Sequence, residues 1–216
     1  GGRLDAALAA FRESLEICQR LRPEERGAGK EFRALSVSFD RVGDAESDGG
    51  RLDAALVAYR ESLEIRQRLL QTQGDTPQVL RDLSISLNKV GDAESDGGRL
   101  DAALAAYRES LEICQRLSQT LGDTPQVLRD LSVCLERVGD TESDSERLDA
   151  ALAAYRESLE IRQRLRQTLG DTPQVLRDLS ISLNKVGDAE RDGGRLDAAL
   201  AAYRQSLEIR QRLRQT

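Results

Sequence analysis

At 216 residues the chain has room for one or two ordinary domains, and its make-up of 39% hydrophobic, 32% charged and 3% aromatic residues is that of a surface-rich helical protein. A net charge of -6 gives no general attraction to a polyanionic backbone and argues against a nucleic-acid partner. The absence of histidine excludes His-based triads and the usual metal constellations, so the sequence reads as a non-enzyme without cofactors.

The chain opens on Gly1-Gly2-Arg3, with neither a leading Met nor a signal-like apolar stretch, and runs straight into the string RLDAAL. That string returns at Arg51, Arg99, Arg147 and Arg195, each step being 48 residues. Because it opens in mid-repeat, the chain is expected to be a fragment of a longer protein, with residues 1–216 forming a single array. Residues 51–98 and 147–194 differ only at Val57/Ala153, Leu70/Arg166, Gln73/Leu169 and Ser95/Arg191. Cores tolerate far more variation than that, so recent duplication is the simplest cause.

The first predicted helix starts at the RLDAAL of Arg3. The stretch after it, LRPEERGAGKEFRALSVSF, departs most from its sisters and places Phe32 and Phe39 where later copies have Leu80 and Leu87. The pattern is clearest from Arg99. There Leu100, Ala103, Leu104, Tyr107, Leu111 and Leu117 recur with helical spacing, and Arg108, Glu109, Glu112 and Arg116 occupy the opposite face. The helix stops at Leu121-Gly122-Asp123-Thr124-Pro125, where Gly122 suits a helix end, Thr124 an N-cap and Pro125 a first turn. A second amphipathic helix follows, its apolar positions being Val127, Leu128, Leu131, Val133, Leu135 and Val138, and it fades at ESDSE, the counterpart of ESDGG elsewhere. The Gly-Gly pairs read as turns, since no phosphate-loop string accompanies them. About nine helices of roughly 18 to 22 residues are expected in all.

Cys18 and Cys114 take the slot of Arg66, Arg162 and Arg210, and Cys134 that of Ser38, Ser86 and Ser182. They read as scattered substitutions, reduced and in a cytoplasmic setting, because the spacing matches neither a disulfide framework nor a CxxC metal site. The apolar runs are too short for membrane insertion.

Leu87-x2-Val90-Gly91 followed by Ala103-x3-Tyr107-x2-Ser110 resembles the tetratricopeptide repeat (TPR), and the match recurs along the chain. The resemblance implies an all-α, right-handed superhelical solenoid of antiparallel helix pairs, with Gly91 and its equivalents admitting a close approach beneath Tyr107 and its equivalents. Two departures stand out. The period exceeds the family's 34 residues by 14, placed as about two extra turns on each helix, and the family's Tyr near the end of the first helix is replaced by Glu46, Glu94, Glu142 and Glu190. Those carboxylates are expected to be half exposed or met by Arg, with early fraying of the helix. Long-period repeats of this kind resemble arrays attached to bacterial signalling proteins.

In that family the first helices line the concave side, which makes same-phase residues into ladders across a groove. One ladder is Asp44, Asp92, Asp140 and Asp188; another is Asp40, Asn88, Glu136 and Asn184; a basic one is Arg41, Lys89, Arg137 and Lys185. Asp48, Asp96, Asp144 and Asp192 add acid at the edge. The expected partner is a protein or peptide of basic or mixed charge, held by a scaffold or sensor segment of a larger multidomain protein. Two alternatives stand beside it: self-assembly or spacing through exposed array ends, and regulation of an attached enzyme or nucleotide-driven signalling domain. The unit from Arg99 is the most acidic and the residues from Arg195 onward are net basic, so end-to-end contact is electrostatically permitted.

Overall fold

The computed structural model describes residues 28–214. The first RLDAAL copy, the helix expected from it and Cys18 lie outside the described residues. Among those described there are eight helices and no strand: α1 (Ala28–Asp48), α2 (Leu52–Gln73), α3 (Pro77–Asp96), α4 (Leu100–Leu121), α5 (Pro125–Asp144), α6 (Leu148–Leu169), α7 (Pro173–Asp192) and α8 (Leu196–Leu213). Odd numbers are the first helices of the repeat and even numbers the second. They fall into two compact units, Gly1–Ile113 and Cys114–Thr216, the division lying within α4.

Two kinds of turn alternate, and each is written in the sequence. Between a second and a first helix, Gly74 and Gly170 follow the last helical residue with φ of 71° and 73°, and the Thr76, Thr124 and Thr172 hydroxyls accept from the backbone N–H of Val79, Val127 and Val175 at 3.3 Å. Pro77, Pro125 and Pro173 start the first helices, where no donor is needed. Between a first and a second helix the chain reverses in three residues. Arg99 N–H donates to Glu94 O at 2.8 Å, and Arg51, Arg147 and Arg195 repeat the bond.

The packing in each unit follows the predicted stripes. In the unit ending at Ile113, Phe32, Leu35 and Phe39 of α1 close on Ile65 and Leu69 of α2, while Leu56 and Tyr59 of α2 are covered by Val90 and Ala93 of α3 and Ala106 of α4. In the unit starting at Cys114, Leu152 and Tyr155 of α6 meet Val186 and Ala189 of α7 and Ala202 of α8. Leu176, Leu179 and Leu183 of α7 pack on Ile209 of α8. Tyr59 and Tyr155 thus sit at equivalent points of two separate clusters.

The expectation of half-exposed, fraying glutamates needs correcting. Glu46, Glu94, Glu142 and Glu190 are each only 2% exposed, and the first helices continue two residues beyond them. Arginine makes this possible, as the pairing half of the expectation required. Arg51, Arg99, Arg147 and Arg195, the first residue of each RLDAAL, bring Nε to the carboxylate, and Arg60 Nη2 reaches Glu94 Oε1 from α2 at 2.6 Å. Arg156 of α6 does the same for Glu190. The burial cost is offset because the arginine heads remain largely in water while the carboxylate accepts their hydrogen bonds.

Candidate interaction face on the first helices

The face offered by a first helix is set by which of its side chains the neighbouring helices leave uncovered. In every described copy one apolar position stays out: Val37 is 40% exposed, Ile85 42%, Val133 39% and Ile181 39%. Val133, one of the apolar positions expected of its amphipathic helix, lies on the exposed face and not with the buried stripe. Four residues to either side stand basic residues, Arg33 and Arg41 in α1, Arg81 and Lys89 in α3, Arg129 and Arg137 in α5, Arg177 and Lys185 in α7. Positions four apart share a helix face, so each rung is an aliphatic side chain between two cations. The signal was present in the sequence as a β-branched residue held in one register through four copies.

Within the first unit the rungs of α1 and α3 are tied by two ion pairs. Arg33 Nε meets Asp82 Oδ2 at 2.7 Å, and Lys89 Nζ donates to Asp44 Oδ1. Asp44 also accepts from Tyr59 Oη at 2.8 Å, and Lys89 lies 5.2 Å from the centre of the Tyr59 ring. The second unit repeats the motif: Asp140 accepts from Lys185 and from Tyr155 Oη, the latter at 2.6 Å, and Lys185 is 5.4 Å from the Tyr155 ring centre. Burial, together with the neighbouring aspartate, pushes the Tyr59 and Tyr155 phenols above their ordinary pKa, so both remain proton donors.

The anticipated acidic and basic ladders therefore meet each other. Asp44 joins Lys89 and Asp140 joins Lys185, while Asp92 and Asp188 accept from Tyr107 and Tyr203 at 2.6 and 2.7 Å. Asp188 is also 3.3 Å from Arg191. Arg41 is exposed, whereas Asn88, Asn184 and Arg137 are half-buried, and burial lowers the Arg137 pKa against the pull of Asp140. Glu136 turns inward and accepts from Arg162 Nη2 at 3.0 Å and Ser182 Oγ at 2.7 Å. Its counterpart Asp40 is buried against Arg66, 2.6 Å away.

Beneath the face lies the close approach that holds a pair together. A Cβ on Gly91 would stand 2.4 Å from the Tyr107 ring, and one on Gly187 2.6 Å from that of Tyr203. Only hydrogen fits between helix and ring. With this spacing of small residue and aromatic in place, the sequence profile described as Tetratricopeptide repeat matches residues 37–75, 85–120, 132–167 and 180–214. The chain belongs to the tetratricopeptide repeat family. The stretches between those matches cover the turn that precedes each first helix and that helix's opening turns, and both helices of a pair are long, α2 to α7 running alternately to 22 and 20 residues.

Solved structures agree on the all-α TPR fold. The chain is similar to the nearly identical TPR-like repeats from Podosopora anserina, with a TM-score of 0.64 and 14% identity over 100% of this chain and 90% of that one. It is also similar to BtubC (BKLC) from P. vanneervenii, with a TM-score of 0.55 and 19% identity over 98% of this chain and 92% of the other. No curated protein matches it in sequence. TPR repeats mediate protein–protein contact. Among the described residues no helix is long and apolar enough to cross a membrane.

Proposed function

We propose that this chain is a protein- or peptide-binding scaffold segment of a larger multidomain protein, each unit presenting its own two-rung face. The observation that carries the reading is the repeated exposure of Val37, Ile85, Val133 and Ile181 between charged neighbours. An aliphatic side chain held out of a helix in every copy costs helix propensity and is not needed for solubility, so a partner that covers it gives it a purpose. The lysines of the face are already engaged by Asp44 and Asp140. A partner of mixed charge with aliphatic side chains is favoured over a purely basic one. The test is selection of displayed random peptides on the full chain. The selected peptides should carry aliphatic residues and should lose binding at least tenfold to the Val37→Asp, Ile85→Asp, Val133→Asp, Ile181→Asp variant, whose helical circular dichroism is unchanged. Equal binding to that variant rejects the face.

Self-association is a second reading with its own observation. Leu196, Leu200 and Leu207 of α8 are exposed, while the equivalent Leu152 of α6 is buried under α7 and α8. A further helix pair of this repeat type, from a second copy, has the shape to cover them. Light scattering that gives one mass at every concentration rejects this reading; a rise abolished by Leu200→Glu with Leu207→Glu supports it.

A further inference from the structure

Cys114, in the last turns of α4, and Cys134, in α5, bring their sulfurs to 3.0 Å, and each residue is 1% exposed. Register creates this contact. One repeat earlier the same two positions are Arg66 and Ser86, and Arg66 Nη1 donates to Ser86 Oγ at 2.7 Å. Both members have changed together at this contact, whereas Cys18 has Ser38 at the corresponding position. The carboxylate slot has changed too. Asp40 and Glu136 precede the buried Arg66 and Arg162 at the same interval in sequence at which Asn88 precedes Cys114. Asn184 stands in that relation to Arg210, which is exposed. The acid is kept where a buried guanidinium needs it, and the repeat with the thiol pair has exchanged that ionic contact for sulfur chemistry.

We propose that Cys114 and Cys134 form a reversible disulfide that staples α4 to α5. Their sulfurs are within about 1 Å of the ~2.05 Å bond length, so closure asks for little movement of the helices. The oxidant is a small-molecule disulfide. One cysteine, as its thiolate, attacks a sulfur of that disulfide and expels the first small thiolate. The second cysteine thiolate then attacks the protein sulfur of the mixed disulfide and expels the other. Each expelled thiolate takes up one of the two protons given up by the cysteines, so two cysteine thiols and one small disulfide become one protein disulfide and two small thiols. Burial makes the reaction gated: the α4–α5 turn must open before the oxidant reaches either sulfur, and once closed the bond is sheltered from reductant. The cross-link spans 20 residues of sequence, a loop long enough to restrict the unfolded chain.

The experiment treats the full chain, in a Cys18→Ser background, with oxidised glutathione and then with dithiothreitol. Loss of both thiols, a proteolytic fragment joining Cys114 to Cys134, and a melting temperature higher by roughly 5–10 °C that reverses on reduction are expected. Cys134→Ser installs the residue found at Ser86 and Ser182, so it keeps the helical spectrum and should lose both the linked fragment and the shift. Glutathione adducts without the linked fragment, or an oxidised chain that melts no higher than the reduced one, overturn the proposal.

Discussion

The contact around Arg66 and the contact between Cys114 and Cys134 occupy the same place in the repeat and solve it by opposite chemistry. Arg66 is buried and uses all three of its nitrogens: it donates to Asp40 Oδ2, to Asp82 O, to Ser86 Oγ and, through Nε, to Ser36 Oγ at 3.2 Å. The cysteines fill the same register with two small apolar side chains. The array thus tolerates a buried charge or its deletion, provided that the partner carboxylate changes with it. A lone substitution is a different matter.

Arg66→Cys alone therefore has the largest expected effect. It strands the Asp40 carboxylate in the interior, and breaking a buried pair from one side costs about 3–5 kcal/mol. Adding Asp40→Asn should recover most of that loss in a urea melt, and adding Ser86→Cys should create a second thiol pair that responds to oxidised glutathione. If the single and triple variants melt alike, the two contacts are not equivalent.

Next in size is the close approach that both regions share. Gly91→Ala drives a methyl into the ring of Tyr107, which is buried and hydrogen-bonded to Asp92, so the ring has nowhere to go. Overpacking of this kind costs about 1–3 kcal/mol. Gly187→Ala should cost less, because Tyr203 is only half-buried and can swing outward. Thermal melts of the two variants that shift equally would show that ring mobility does not set the penalty.

The buried glutamates give the comparison a pH axis. Arg195 donates to Glu190 and holds its carboxyl below the usual range against the effect of burial, so the folded form binds its proton less readily than the unfolded chain. Its contribution is complete above the unfolded pKa of about 4.3 and is lost as the pH falls through the folded value. Glu190→Gln should lower stability by about 1–2 kcal/mol at pH 7, and the gap from the parent should close as the urea midpoint is followed down toward pH 3. Asp40 has the opposite sign. Burial raises its pKa despite Arg66, so its cost is present at neutral pH and is relieved on acidification. A gap at Glu190 that stays constant to pH 3 would mean that the clasp is shape alone.

What could be read from sequence follows the range over which each feature acts. Helix phase, the Thr caps, the Gly turns and the spacing of Gly91 to Tyr107 are local or fixed by an exact repeat, and all of them were legible. The four exposed aliphatics were legible only as a β-branched residue repeated in one register; that this register faces outward was not, since Val133 looks like any other apolar residue of its stripe until the neighbouring helices show which face they cover. The Asp44–Lys89 pair joins residues a repeat apart, and the thiol pair joins substitutions that look unrelated one at a time. Both become visible only when the helices are set side by side.

The smallest predicted effect comes from the one place where the reversing turn itself differs. Gly50, Gly98 and Gly194 have φ of 72°, 73° and 76°, and the fourth copy puts Glu146 there at φ 60°. A side chain in that region crowds its own backbone, at a cost of roughly 1–2 kcal/mol, part of which glycine gives back through the greater freedom of the unfolded chain. Arg147 still reaches the buried Glu142 across this turn, so the clasp between the helices does not depend on a glycine pair. Glu146→Gly should accordingly stabilise by about 0.5–1 kcal/mol without altering the ion pair, and a differential melt that shows a loss would place a stabilising role on the Glu146 side chain itself.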